Sequence, residues 1–289
     1  MSGLISKKNT PLVSIIMPCY RKEQYIAETL ASVEAQTHSE WELILIDDSS
    51  PDDTTGAARR YIESHNWPAE KAIYLHQENQ GPSAARNNGI LHSHGKYILP
   101  LDPDDTIEPT YIGRCVAILE NQPEIKLVYC EADSFGAWEG QWPHREYNYE
   151  TLLWYNLIHN SAIYRRLDYD KTQGYNPNMR HGLEDWDFYL SLLAPQDQVY
   201  CIDEILYHWR ASAEQRTEDA DAHQLELLRQ IYHNHKDLYE PYHQDVVFFH
   251  EMWTYYEYHY QQAEKLRHTK AYRLGKALLS PLKRFKKRH

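Results

Sequence analysis

The 289-residue sequence has no apolar run longer than a strand; Leu12 to Met17 is typical, so no segment reads as a membrane span. It begins MSGLISKKNT, without the apolar core of a secretory signal, and a cytoplasmic protein is expected. Cysteine is scarce. Cys19, Cys115, Cys130 and Cys201 lie far apart and lack the paired spacing of a zinc site or a disulfide frame. Positive charge is also short: 30 Lys and Arg stand against 42 Asp and Glu, a net −12. Residues 270–289 hold eight of those cations and no acid, which leaves −20 on residues 1–269. A body that acidic excludes a nucleic-acid binder, which needs a basic face.

What is present is an alternation of short apolar runs and helical stripes, with 24 Tyr and 8 Trp suited to surfaces that grip flat polar ligands. Strands are expected at Pro11 to Met17, Trp41 to Ile46, Lys71 to His76, Tyr97 to Leu101 and Ile125 to Cys130. Helices are expected between them, over Arg21–Gln36, Asp53–Ser64, Gly81–His92 and Pro109–Asn121. That order predicts an α/β protein with a mostly parallel, doubly wound sheet flanked by helices.

The stretch that organises the chain is GKYILPLDPDDTIEP, residues 95–109. A buried strand runs straight into Asp102, Asp104 and Asp105, carboxylates that must stay wet, paired or metal-bound. A second strand, WELILI, ends in Asp47 and Asp48. Parallel strands present their carboxyl ends on one edge, where open α/β sheets bind ligands. Oxygen-only side chains at this spacing suit a hard cation, Mg²⁺ or Mn²⁺, which usually bridges to phosphate oxygens. Taken alone, the same string also reads as an acidic turn that caps the next helix.

Further along, Gln80-Gly81 and Ala85-Arg86-Asn87 open a helix, an anion site or an ordinary cap. Tyr20 either stacks on a flat ligand or belongs to the core. Trp138 and Trp142 allow the same two readings, on sugar faces or over the core. At Gly182-Leu183-Glu184-Asp185 acids begin a helix, and the helix dipole alone accounts for them.

The series PLVSIIMPCYRKEQYIAETLASVEAQT, WELILIDDSSPDDT, ENQGPSAARNNGI and GKYILPLDPDDTIEP resembles the family 2 glycosyltransferases with the GT-A fold, in order over about residues 11–110 and with echoes to about residue 210. The resemblance implies an inverting transfer from a nucleotide-diphosphate sugar to a hydroxyl of a glycan or lipid-linked glycan. It implies that Tyr20 packs on the nucleobase, that Asp48 accepts its N–H, and that Pro18 shapes the loop. One N–H favours a UDP- or dTDP-sugar. Arg86 would lie near the nucleotide, with Gly81 letting the backbone pass close. Asp102 is implied on the ribose or metal shell and Asp104 on the metal, with Asp105 left to cap the helix. Gly-X-Glu-Asp resembles the family's base motif, which makes Asp185 the general base beside Glu184. LIHNSAIYRR (residues 157–166) resembles the strand near the donor sugar, with His159 and Asn160 placed for hydroxyl contacts. Leu206 to Arg210 resembles the segment after the last strand, where basic groups such as Arg210 approach the diphosphate. The His that often follows that Arg is missing, since Ala211-Ser212-Ala213 comes next, and His208 has no implied role.

A sugar-phosphate nucleotidyltransferase would need a Gly-rich basic loop after the first strand, and MPCYRKEQY has no glycine. A non-catalytic glycan-binding or scaffold subunit is the other alternative, disfavoured because both acidic motifs are intact. The expected limits are a GT-A domain over 1–212, a helical extension over 213–269, with self-association an option, and a basic amphipathic tail over 270–289. In that tail Leu274, Leu278, Leu282 and Phe285 fall on one side of a helix among cations, the layout of an interfacial anchor on an anionic membrane. The expected location is therefore the inner face of the cell membrane, held peripherally.

Overall fold

Four parallel strands start the fold, three of them buried along nearly their whole length and the third in chain order a partly exposed edge. They are β1 (Val13–Cys19), β2 (Trp41–Asp47), β3 (Ala72–His76) and β4 (Tyr97–Pro100), in the order β3-β2-β1-β4. Their sequences are near-continuous apolar runs because helices cover both faces. The computed structural model describes residues 12–141, 146–211 and 223–242. Among these, α1 (Ile26–Glu34), α2 (Thr54–Ser64), α3 (Pro82–Leu91) and α4 (Tyr111–Asn121) follow the first four strands in turn. A two-residue strand, β5 (Thr106–Ile107), lies between β4 and α4.

The register fixes where the acids emerge. Cys19 pairs with Asp47, and Ile16 with Pro100, so Tyr20, Asp48 and Asp102 leave the sheet at one edge. Gly89 lets α3 lie close: a Cβ there would meet Ile46 at 2.6 Å and Ile16 at 2.8 Å. The helix expected from Arg21 begins only at Ile26. Residues 21–25 turn instead, because the N–H groups of Arg21 and Lys22 are taken by Ser50 on the loop after β2 and by Thr54 at the start of α2, each at 2.8 Å. Similarly, α4 begins at Tyr111 rather than Pro109, whose carbonyl accepts the Thr37 N–H.

Beyond α4 the sheet becomes mixed. β6 (Ile125–Gly136) pairs antiparallel with the short β7 (Gly140–Gln141) and with β8 (Ile163–Arg165), which also runs antiparallel to β4. Short helices α5 (Tyr149–Leu152) and α6 (Arg166–Tyr169) flank β8, and α7 (Glu184–Leu192) leads to β9 (Gln198–Ala211). β9 runs parallel to β6 along its whole length and antiparallel to β5. Leu206 to Arg210 thus lies inside the last strand, not after it, which corrects the expectation for that segment. The β5–β9 pairing has a second effect: it brings Tyr207 and Arg210 against residues 102–105.

The chain divides into two compact units, Met1–His235 and Lys236–His289. The first ends with α8 (Gln224–Asn234), which buries Leu227 and Ile231. Of the second, a helical turn, α9 (Lys236–Tyr239), and a 3-10 turn (Glu240–Tyr242) are described. The expected limits at 212 and 269, Trp142, and the whole basic tail lie outside the described residues. No helix among the described residues is long and apolar enough to cross a membrane.

Candidate active site

At the end of β1, Pro18 is buried opposite Ile46, and Tyr20 carries its ring into solvent, 37% exposed. Asp48 is buried and holds the loop that leads into α3. One oxygen accepts the Gln77 side-chain amide (2.8 Å) and the Gln80 N–H (2.9 Å), and the other accepts the Gly81 N–H (2.9 Å). Gly81 takes φ +84° as it caps α3, a conformation glycine adopts without strain. Asp48 is therefore first a loop clamp. A carboxylate has about four acceptor sites, and three protein donors leave room for one more.

Each carboxylate of the central string is held by a protein donor. Asp102 accepts Arg86 Nη2 (2.8 Å) on one oxygen and the Asn160 amide (2.9 Å) on the other. Asp104 is buried and pairs with Lys22 Nζ at 2.5 Å. Burial raises its pKa, and the lysine works against that rise. Asp105 does not cap the helix as expected. It accepts the Arg210 N–H (2.9 Å) and bonds the Tyr207 hydroxyl, because β5 is zipped onto β9 at this point. Burial, then the charges of Asp104 and Asp102, hold its carboxyl well above the ordinary range. The Tyr207 hydroxyl also lies 2.7 Å from Asn160 Oδ1, which links Asp105 to Asp102 through one amide.

Arg86 is the other surprise. Its side chain is 1% exposed, with Nη1 on Glu184 (2.8 Å) and Nη2 on Asp102. The guanidinium joins the two acidic motifs as a buried brace. Glu184 is consequently engaged, and Asp185 is the more exposed acid of that pair. Asp185 is half-buried, with Oδ2 accepting the Asn156 amide at 3.0 Å and Oδ1 the Trp186 N–H at 2.8 Å. Burial and the neighbouring Glu184 push its pKa up to about 6. The turn before α7 bends through Gly182 (φ +135°) and Leu183 (φ +58°), which sets both acids at the helix start. One turn on, buried Asp187 accepts Asn234 (2.7 Å) and faces His235 Nε2 (3.0 Å), so it anchors the end of α8.

The remaining candidates divide. Asn160 belongs to the cluster. His159 does not contact open space: it is buried, stacked on Tyr207 at 4.4 Å, and burial pushes its pKa down to about 3. It is a neutral core histidine, contrary to expectation. Arg210 donates Nε to the Asp104 carbonyl (3.1 Å), pairs with Glu28, and lies between the Tyr25 and Phe135 rings. His208 sits between Asp133 (2.5 Å) and Glu108 (3.1 Å). Trp138 is 45% exposed and packs edge-on against Trp209. Lys22, Asn156 and Tyr207 carried no sequence signal, since each partner lies far along the chain.

The donor set can be tested against a divalent cation. Among the described residues no three acid, His or Cys side chains converge as a ready-made cage. Oxygen-only Asp102 and Asp104 nevertheless fit Mg²⁺ or Mn²⁺, which commonly take one or two carboxylates and complete their shell with waters and substrate phosphates. The residues present therefore suit a cation that arrives with a diphosphate.

Comparison with known proteins follows the same lines. Residues 14–183 match the family model described as Glycosyl transferase family 2. Chondroitin synthase of Escherichia coli is 28% identical over 190 residues, covering 64% of this chain and 27% of that protein. The putative glycosyltransferase EpsH of Bacillus subtilis is 38% identical over 122 residues, 42% of this chain and 33% of its own. An uncharacterized glycosyltransferase of Rickettsia prowazekii is 30% identical over 224 residues, covering 73% of this chain and 67% of that one. The chain thus spans only 27% and 33% of the first two relatives. Among solved structures, S. aureus TarS 1-349 in complex with UDP-GlcNAc superposes with a TM-score of 0.61 at 18% identity, over 77% of this chain and 66% of its own. The mannosyltransferase PcManGT from Pyrobaculum calidifontis, in complex with GDP-Man and Mn²⁺, gives 0.58 at 18% identity, over 73% and 60%. At such identities the likeness is one of fold, a mixed α/β sheet of the GT-A type. With the family model covering most of the ordered sheet, the chain belongs to glycosyl transferase family 2.

Proposed function

We propose that the chain is an inverting glycosyltransferase that uses a nucleotide-diphosphate sugar and a hydroxyl acceptor on a glycan or lipid-linked glycan. The observation that carries this is Asp185, a half-buried carboxyl with a raised pKa beside the Glu184–Arg86–Asp102 brace. A base works best when its pKa lies near the working pH. Asp185 takes the proton of the acceptor hydroxyl as that oxygen bonds to the anomeric carbon. The bond from that carbon to the diphosphate oxygen breaks, and its electron pair leaves with the diphosphate. One displacement inverts the configuration, and no enzyme nucleophile is used.

A divalent cation held by Asp104 and Asp102 would offset charge on the departing diphosphate. Tyr20 offers its exposed ring to the base. Asp48 has room for about one further N–H, which favours the single N3–H of a uracil or thymine over the adjacent donors of guanine. Asn156 fixes the base carboxylate, and Asn160 fixes Asp102. The tail over 270–289 is proposed to hold the protein at an anionic leaflet; flotation with anionic vesicles should fail once those residues are removed.

A thermal-shift screen of UDP-, dTDP- and GDP-sugars with Mn²⁺ tests the donor, because a ligand of the folded state raises its stability. Asp185→Asn should keep the donor shift and lose nucleotide release in the presence of acceptor. Near-normal turnover by that variant would reduce Asp185 to a helix-start residue. Glycan binding without any nucleotide shift would point to a binding subunit instead.

A further inference from the structure

The two cations in the acid cluster are held very differently. Arg86 is 1% exposed and gripped from two sides, whereas the Lys22 side chain is 27% exposed. Only its backbone is pinned, by the N–H on Thr54 at 2.8 Å. Its ammonium sits on Asp104 Oδ2, an oxygen of the residue proposed to take the divalent ion. Two cations cannot share that oxygen at contact distance without strong repulsion. Lysine, a compact charge on a flexible four-carbon stem, is suited to leave, and a diphosphate offers an ammonium an alternative anionic partner.

We propose that Lys22 is a removable counter-ion on Asp104 that keeps the acid cluster closed to free divalent cations until a nucleotide diphosphate brings one in. This rests on the metal-using reading of the site. Protein donors already hold Asp102, Asp104 and Asp105, and the exchange at Asp104 couples metal entry to donor entry. Free Mn²⁺ should bind weakly, and Mn²⁺ with nucleotide tightly.

The test is Mn²⁺ titration of the full chain, followed by electron paramagnetic resonance, without nucleotide and then with UDP or GDP. Lys22→Met keeps the stem and removes the charge; Lys22→Gln serves if the Met variant does not fold. Without nucleotide, the neutral variant should bind Mn²⁺ at least tenfold more tightly than the native chain, and Lys22→Arg should show no gain. Adding Asp104→Asn to Lys22→Met should cancel the gain, and nucleotide should narrow the difference between native and neutral chains. Equal Mn²⁺ affinities, or a gain that survives Asp104→Asn, overturn the inference while leaving the metal-using reading intact. No Mn²⁺ binding by any chain, even with either nucleotide, overturns both.

Discussion

Replacing Arg86 with Met should destabilise the protein more than any surface change, and the structure sets the size. The guanidinium is 1% exposed and donates to Glu184, 8% exposed, and to Asp102, 32% exposed. Removing one partner of a buried ion pair leaves an uncompensated charge and costs about 3–5 kcal/mol. Most of that belongs to Glu184. Asp102 reaches solvent and keeps its bond from Asn160, so its share is about 1 kcal/mol or less. The sum is about 4 kcal/mol, which for a chain of this size corresponds to a fall of about 8–16 °C in Tm.

Urea unfolding at neutral pH measures it, and a double variant isolates the cause. Arg86→Met combined with Glu184→Gln removes both the cation and the anion it faced, and should recover about 1–3 kcal/mol of the single-variant loss. Arg86→Lys should fall between, because one ammonium cannot make the two parallel contacts of a guanidinium. A loss below about 1 kcal/mol for Arg86→Met, or strict additivity with Glu184→Gln, would refute the brace.

Two pH dependences follow from buried groups with opposite signs. Asp185 titrates near 6 in the folded chain, raised from its ordinary value by burial and Glu184, so transfer should rise with pH to a plateau above about 6 and lose that inflection in Asp185→Asn. Its proton favours the folded state, so its contribution to stability is full below about 4 and is lost as pH climbs toward 6. His159, pushed down to about 3 by burial, contributes above about 6.5 and loses that contribution as pH falls toward 3. His159→Phe, which keeps a ring against Tyr207, should flatten the acid limb of the stability curve by up to one proton; an unchanged limb would mean the imidazole is not kept neutral.

The parallel half of the sheet was legible because burial on both faces writes itself as uninterrupted apolar runs, from Val13–Cys19 to Tyr97–Pro100. The acid strings stood out for the matching reason, since charge directly after such a run has no packing role. The mixed half was legible only in part: Ile125 to Cys130 reads as a strand, but its continuation to Gly136 and the last strand do not. Leu206 to Arg210 mixes rings and polar groups without a clean period, and its place as a strand comes from pairing with β6 some 75 residues earlier, as in Asp133↔His208. Charge partners were illegible too: Arg86 and Glu184 are 98 residues apart, and Lys22 and Asp104 are 82 apart. Sequence spacing reports neighbours on one element, and these pairs exist only because several strand ends meet at one edge. His159 misled because it lies in the segment that resembles the strand near the donor sugar, whereas the local fold stacks it inside.

The charge balance of the cluster leads to the last prediction. Asp104 pairs with Lys22, Asp102 and Glu184 pair with Arg86, and of this cluster the Arg210 guanidinium reaches only the Asp104 carbonyl among the bonds described above, so five acids stand against few cations. Burial relieves part of the excess by raising the pKa of Asp104, Asp105 and Asp185. An anionic diphosphate still approaches a crevice short of positive charge, in surroundings that screen poorly. Arg86 cannot turn to meet it without abandoning Glu184 inside the protein. Lys22 can, but then Asp104 is left bare and buried. A divalent cation resolves both costs at once, because it satisfies Asp104 and offsets the diphosphate. Chelating divalent metal should therefore weaken nucleotide-diphosphate binding by tenfold or more, measured by calorimetry with and without EDTA. The corresponding nucleoside, which lacks the phosphates, should bind equally in both conditions. Diphosphate affinity that is indifferent to chelation would mean that the side-chain cations suffice for the charge.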